Sequence, residues 1–359
     1  MADKSGISWL AGPDGRPGAT WQILAGCQSI SRGCENCYSC RLLATRHRHL
    51  PWAKGLAEMT PSGPRWTGKV VLRRDQLDWP LKHRQPTRIF VADRGDLFFD
   101  KVPDGYVMDA WRIMGQCQQH TFFVLTKRPD RMASWMAKWT DRRLDTPEDR
   151  AHQLVRGPWE TRKAHPEGRG QLFADMLELW GEPPDGCAYP TYDWSEGMRW
   201  WSDVLYNVCL GASACVAAEK YKIDQLRQIP AALRFLSLEP LLEDLGELDL
   251  TGIGWVIAGG ESGPKARPLH PQWVRNVRDQ CVSAGVPFFF KQWGTWRPID
   301  EPWKQDSPAK LQRKGEQWLN LAGGQGFHGE QVWRLRKMGV KRADHDLDGA
   351  VWRQFPWSV

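Results

Sequence analysis

No run of about 18 apolar residues occurs in this chain, so no segment has the length of a membrane-spanning helix. The opening MADKSGISWL carries no apolar signal region, and we expect a cytoplasmic protein. Disulfides are rare in that reducing compartment, and 359 residues can bury a core without them. Internal repeats and low-complexity tracts are also missing. Tyrosine is scarce, with 6 residues against 22 tryptophans, and many of the tryptophans stand beside basic residues, as in PRWTGK, QWVRNVR and WGTWRP. Such pairs can stack on nucleic-acid bases, but they also serve as core packing and cation–π contacts. The formal charge of +7 is compatible with nucleic acid without requiring it. Basic clusters such as RHRHLPWAK and WRLRKMGVKR are either solvated faces or a phosphate-tracking surface.

Six short apolar runs are present: RIFVADRGDLFF (88–99), HTFFVLTKRP (120–129), YNVCLGASA (206–214), LRFLSLEPLL (233–242), GWVIAGGESG (254–263) and VPFFFKQWG (286–294). Each is β-branched or aromatic and breaks off at polar residues or glycine, as buried strands do. Helical patterns lie between several of them, in VPDGYVMDAWRIMGQCQQ, CVAAEKYKIDQLRQIP and PQWVRNVRDQCVSAG. Buried strands joined by helical crossovers predict a parallel sheet covered on both faces, an open or closed α/β barrel. A dinucleotide-binding sheet is the alternative, but no G-x-G-x-x-G follows a strand.

In such a barrel, chemistry sits at the C-terminal strand ends. Those ends carry Asp93, Asp96, Thr126, Lys127, Ser213, Ser237, Glu239, Glu261, Ser262, Lys291 and Gln292. Asp96, Lys127, Glu239 and Lys291 are the expected catalytic groups. The expected organisation is a cysteine-bearing loop and first half-barrel (1–138), a helical insertion acting as lid or recognition element (139–203), a second half (204–296) and a C-terminal accessory segment (297–359).

GCQSISRGCENCYSC (26–40) puts Cys27, Cys34, Cys37 and Cys40 on one loop, whereas Cys117, Cys187, Cys209, Cys215 and Cys281 are scattered and read as small buried hydrophobes. Structural zinc favours separated C-x-x-C pairs; here the spacings overlap, no second pair exists, and His47 and His49 would have to help. Close-spaced thiolates also suit three corners of a [4Fe–4S] cluster. The residues alone leave both open.

Taken together, ILAGCQSISRGCENCY, VADRGDLFFDKVP, HTFFVLTKRPDRM, NVCLGAS, LRFLSLEPLL, WVIAGGESGPKARPLHPQWVRNVRDQC, VPFFFKQWG and VWRLRKMGVKRADHDLDG resemble the phage and actinobacterial three-Cys-motif family. The match runs in order over residues 8–138 and 204–357. Members of that family are similar to radical S-adenosylmethionine (SAM) enzymes. The resemblance implies a partial (β/α)6 TIM-like barrel, with Cys27, Cys34 and Cys37 holding a [4Fe–4S] cluster and Cys40 left over. Cys34, Cys37 and Cys40 form the alternative ligand set. It also implies SAM contacts at Asp96, Ser213, Glu261 and Tyr38, although Cys215 stands where relatives carry an acidic residue. An electron donor such as flavodoxin or ferredoxin is implied. The phage setting suggests DNA as substrate, with a glycine adduct of thymine rearranged during hypermodification. RNA, a peptide or a small metabolite are alternatives, as is a non-catalytic, zinc-bearing nucleic-acid-binding protein. Lys127, Arg128, Lys265, Arg267, Lys291 and Trp293 are the expected phosphate and base contacts.

Overall fold

The computed structural model describes residues 4–140, 205–299, 314–325, 331–338 and 345–356. The expected insertion, 139–203, lies almost wholly outside the described residues. Seven strands form one curled parallel sheet: β1 (Ala19–Trp21), β2 (Arg88–Val91), β3 (Thr121–Thr126), β4 (Val208–Ser213), β5 (Leu233–Leu238), β6 (Trp255–Ala258) and β7 (Phe288–Phe290). They lie side by side in chain order, and every pairing is parallel. Each crossover therefore moves one strand in the same direction, as in a barrel. A doubly wound sheet reverses its strand order instead. β1 and β7 do not pair, so the structure is a half-barrel.

The expectation of six strands is corrected to seven. β1 was missed because only ATW pairs before the chain enters the cysteine loop, too little for a strand pattern to show. The helical part of the expectation holds at α2 (Asp104–Gln116), α4 (Tyr221–Arg227) and α5 (Pro271–Ser283), with α1 (Tyr38–Ala44) and α3 (Pro129–Thr140) in addition. In α2, Tyr106, Val107, Ala110, Trp111 and Met114 are buried at helical spacing, so one face packs on the convex side of the sheet. No described helix joins β5 to β6.

The concave side has its own core. Trp9, from a short 3-10 turn at Ser8–Leu10, plugs the half-barrel against Phe90, Phe123, Phe235 and Trp255 at centroid distances of 5.3 to 6.1 Å. Arg88, buried at the start of β2, holds the plug. Its guanidinium donates to the carbonyls of Leu10, Ala11 and Arg16 and to Asp14. Residues 352–354 cover the β7 edge, where Phe290 N–H donates to Trp352 O and Gln354 N–H to Phe288 O. An exposed row of strand donors is thereby removed.

The accessory segment contains a small antiparallel sheet, ordered β8 (Trp296–Pro298), β10 (Trp333–Lys337), β9 (Glu316–Leu319). It meets α5 through Trp273, whose indole donates to Leu321 O. Among the described residues no helix is long and apolar enough to cross a membrane, and every cysteine is a free thiol.

Candidate functional site

Side chains alternate along a strand, so the concave faces of β4 to β7 can be read upward from the aromatic floor. Above Cys209 on β4 come Gly211 and Ser213, and above Phe235 on β5 come Ser237 and then Glu239. Ser213 and Ser237 are direct register partners. One layer higher, Glu239 and Lys291 form an ion pair at 2.8 Å across the end of β6. Gly259 lies between them, where a Cβ would stand only 3.3 Å from Lys291 Cβ, so a residue without a side chain keeps the pair close.

The cysteine loop lies over this mouth and is pinned to successive strand ends. Beyond β3, Arg128 donates to Cys27 Sγ at 3.7 Å and to Gln28 O at 3.0 Å. Beyond β4, buried Glu219 takes hydrogen bonds from Ser31 and from Cys215 N–H, with Lys222 as its ion-pair partner at 2.9 Å. Beyond β6, Glu261 accepts from Asn36 at 2.9 Å. Beyond β2, Asp93 O accepts from Ser39 at 2.6 Å. The Arg32–Cys34 stretch is a single 3-10 turn, and Cys37 is the residue just before α1. Gly33 has no alternative here, because a Cβ on it would overlap the Cys215 sulfur.

Beneath the loop is a cavity of about 150 Å3, lined by Cys27, Cys34, Cys37, Asp93, Asp96, Lys127, Arg128 and Ser213 among others. Six sequence-predicted site residues therefore meet in one place: the three cysteines with Asp96, Lys127 and Ser213. Glu239 and Lys291 stand in the same mouth but do not line the cavity. Two expected SAM contacts are not brought there. Tyr38 is 67% exposed on the outside of α1. Glu261 is committed to Arg267 and Asn36. Cys40 is 1% exposed in an apolar cluster with Ala25, Leu43, Leu56 and Trp66, behind the cavity wall. Cys117, Cys209 and Cys281 are buried as expected, but Cys215 touches the loop.

The expected nucleic-acid contacts also change. Arg128 is buried against Asp96 and Cys27, Arg267 faces the loop, and Trp293 is 4% exposed against Phe290. Of these, Lys265 is the exposed one. Strand-end arginines carry no sign of which way they turn, so the sequence could not separate these roles.

The two aspartates at the end of β2 differ. Asp96 is saturated: Oδ1 accepts from Phe98 N–H and Thr126 Oγ1, and Oδ2 from Lys127 N–H and Arg128 Nη1. Asp93 keeps an ion pair from Oδ2 to Arg94, but its Oδ1 is buried with no donor. Burial raises the Asp93 carboxyl above its ordinary value, and Arg94 offsets part of this. Ala92 ahead of it has φ 60, a left-handed conformation unusual for alanine that turns the chain toward the cavity.

Burial, with a smaller contribution from Asp96, pushes the Cys27 thiol up to about 12 against the pull of Arg128. Burial also raises Cys37, which Lys127 opposes. Burial works against the Lys127 ammonium, yet Cys215, Cys34, Cys37 and Glu219 hold it above its ordinary value.

Cys27, Cys34 and Cys37 are the residues of this cavity that could hold a metal or a cluster. Among the described residues no three His, Cys, Asp or Glu side chains converge on one ion. The three thiols instead surround a cavity, and in a [4Fe–4S] cube each thiolate binds a different iron. His47 and His49, the zinc candidates, are outside the cavity lining, and Arg94 donates to His47 Nδ1 at 3.1 Å.

A family model described as a protein of unknown function, DUF5131, matches residues 5–356. The chain belongs to this family. Its match runs through the cysteine loop and all seven strands of the sheet. No curated protein and no solved structure matches the chain.

Proposed function

We propose that this DUF5131 chain is a radical SAM enzyme in which Cys27, Cys34 and Cys37 hold a [4Fe–4S] cluster. The observation that carries the proposal is the cavity in which those thiols meet Asp93, Lys127 and Ser213 at the half-barrel mouth. When bound, such a cluster together with SAM supplies a 5′-deoxyadenosyl radical, able to take hydrogen from an otherwise unreactive carbon.

The chain's own residues bind, orient and exclude. Asp93 Oδ1, buried and without a donor, suits the amino group of SAM better than the saturated Asp96, so the expected contact moves to Asp93. Ser213 offers its hydroxyl to the ribose. The aromatic floor around Trp9 keeps water out from below. Glu239 and Lys291, paired in the open part of the mouth, face the substrate.

The substrate we propose is a modified thymine in phage DNA, with isomerisation of its glycine adduct. The supporting observation is an exposed basic stretch, Arg46, Arg48, His49 and Lys54, tied to the mouth rim by the Arg94–His47 hydrogen bond. Phosphates held there would help offset the few kcal/mol needed to flip a base. A flavodoxin or ferredoxin would supply the electron.

Anaerobically reconstituted protein should be brown, bleach with dithionite and release 5′-deoxyadenosine from SAM. Incubation with modified phage DNA should then change one nucleoside by mass spectrometry. A colourless protein with one zinc would refute the proposal. SAM cleavage without a DNA product would move the substrate to RNA, a peptide or a metabolite.

A further inference from the structure

We infer that Glu261, Arg267 and Asn36 form a latch that fixes the Cys34–Cys37 turn over the mouth, and that Glu261 is a positioning residue. The segments it joins are 225 residues apart in sequence. Glu261 is 6% exposed, and its two oxygens take three hydrogen bonds from Arg267: the backbone N–H at 2.8 Å, Nε at 2.9 Å and Nη2 at 2.6 Å. This clamp is local, within the loop after β6. Its outward reach is to the cysteine turn. Asn36 Nδ2 donates to Glu261 Oε2 and to Lys265 O, both at 2.9 Å, and Arg267 Nη2 donates to Arg32 O at 2.9 Å. Arg32 and Asn36 bracket Cys34, so both sides of that residue are held.

The remaining contact, Arg267 to Glu35, adds little, because Glu35 is 59% exposed and water screens the pair. A buried carboxylate with a bidentate arginine is the rigid part, and the asparagine transmits that rigidity to the loop. Cys27 is held separately by Arg128. The latch is thus distinct from the loop's other pins, Arg128 at Cys27, Glu219 at Ser31 and Asp93 O at Ser39.

The latch rests on the loop being the working part of the site, as proposed above, but not on which metal it takes. The test accordingly uses metal-free protein and a thiol-alkylating reagent. Cys34 is buried, at 9% exposure, so it reacts when the turn opens. Trypsin cuts after Arg32, placing Cys27 on one peptide and Cys34, Cys37 and Cys40 on the next, where fragment masses separate them. Asn36→Ala should speed alkylation of Cys34 about tenfold, the loss of one charge-assisted hydrogen bond, and leave Cys27 unchanged. Glu261→Gln keeps an acceptor for Asn36 but gives up the charge that holds Arg267, and should give a smaller increase at Cys34. Arg128→Met should do the reverse, speeding Cys27 and sparing Cys34. Cys34 reacting at the wild-type rate in Asn36→Ala, or all the loop cysteines speeding together, would overturn the latch. Either result would leave the cluster proposal standing.

Discussion

Asp96 accepts four hydrogen bonds while Asp93 leaves one buried oxygen without a donor, although both stand at the end of β2. Asp96 joins the ends of β2 and β3 through a buried ion pair with Arg128. Removing one partner of such a pair strands a charge, so Asp96→Ala should cost about 3–5 kcal/mol in denaturant unfolding. Asp93→Asn should cost less and weaken SAM binding about tenfold or more by calorimetry, the worth of a charged hydrogen bond. Equal stability losses with unchanged SAM affinity would sink the distinction. In ADRGD the two residues look alike. Their roles part through the left-handed Ala92 and through donors arriving from Thr126 and Arg128, which no local pattern announces. The cysteine loop stood out in the sequence because four thiols on one short stretch are rare by chance. Tyr38 misled because adjacency to Cys37 does not say which side of α1 it occupies.

Helix α5 carries a titratable cap. His270 accepts from Gln272 N–H through Nδ1 and meets Gln331 O through Nε2, so the neutral ring satisfies both neighbours. Burial lowers its pKa from 6.5 to about 4. As pH falls below about 6.5 the unfolded chain takes up a proton that the folded protein refuses. The stability concerned is present in full above 6.5 and is lost as pH falls to about 4. The loss should approach about 3 kcal/mol, measured by urea unfolding across that range. His270→Asn, which keeps a capping oxygen, should flatten the slope. Parallel profiles in the two proteins would rule His270 out. Three of the helices and six of the sheet's strands could be read from the sequence, the strands because burial on both sides writes itself into composition. The first strand could not, since its three residues gain their place from pairing with β2 rather than from their own pattern.

At the scale of the whole molecule, the half-barrel has a closed floor and a worked mouth. Trp9 fills the floor and Arg88 anchors the segment that carries it. Trp9→Ala should cost about 3–5 kcal/mol by opening a cavity among Phe90, Phe123, Phe235 and Trp255. A loss below about 1 kcal/mol would mean that the plug is dispensable. The mouth gathers cysteines from one loop and polar groups from successive strand ends, an arrangement set by the strand order rather than by any single motif. The central claim is that Cys27, Cys34 and Cys37 hold a cluster with one iron left for SAM, Cys40 taking no part. The most direct measurement is the electron paramagnetic resonance spectrum of reconstituted, dithionite-reduced Cys40→Ala protein, recorded before and after SAM is added. The account predicts a full-intensity [4Fe–4S] signal that changes on SAM addition. Loss of the signal in that variant, or a signal indifferent to SAM, would contradict it.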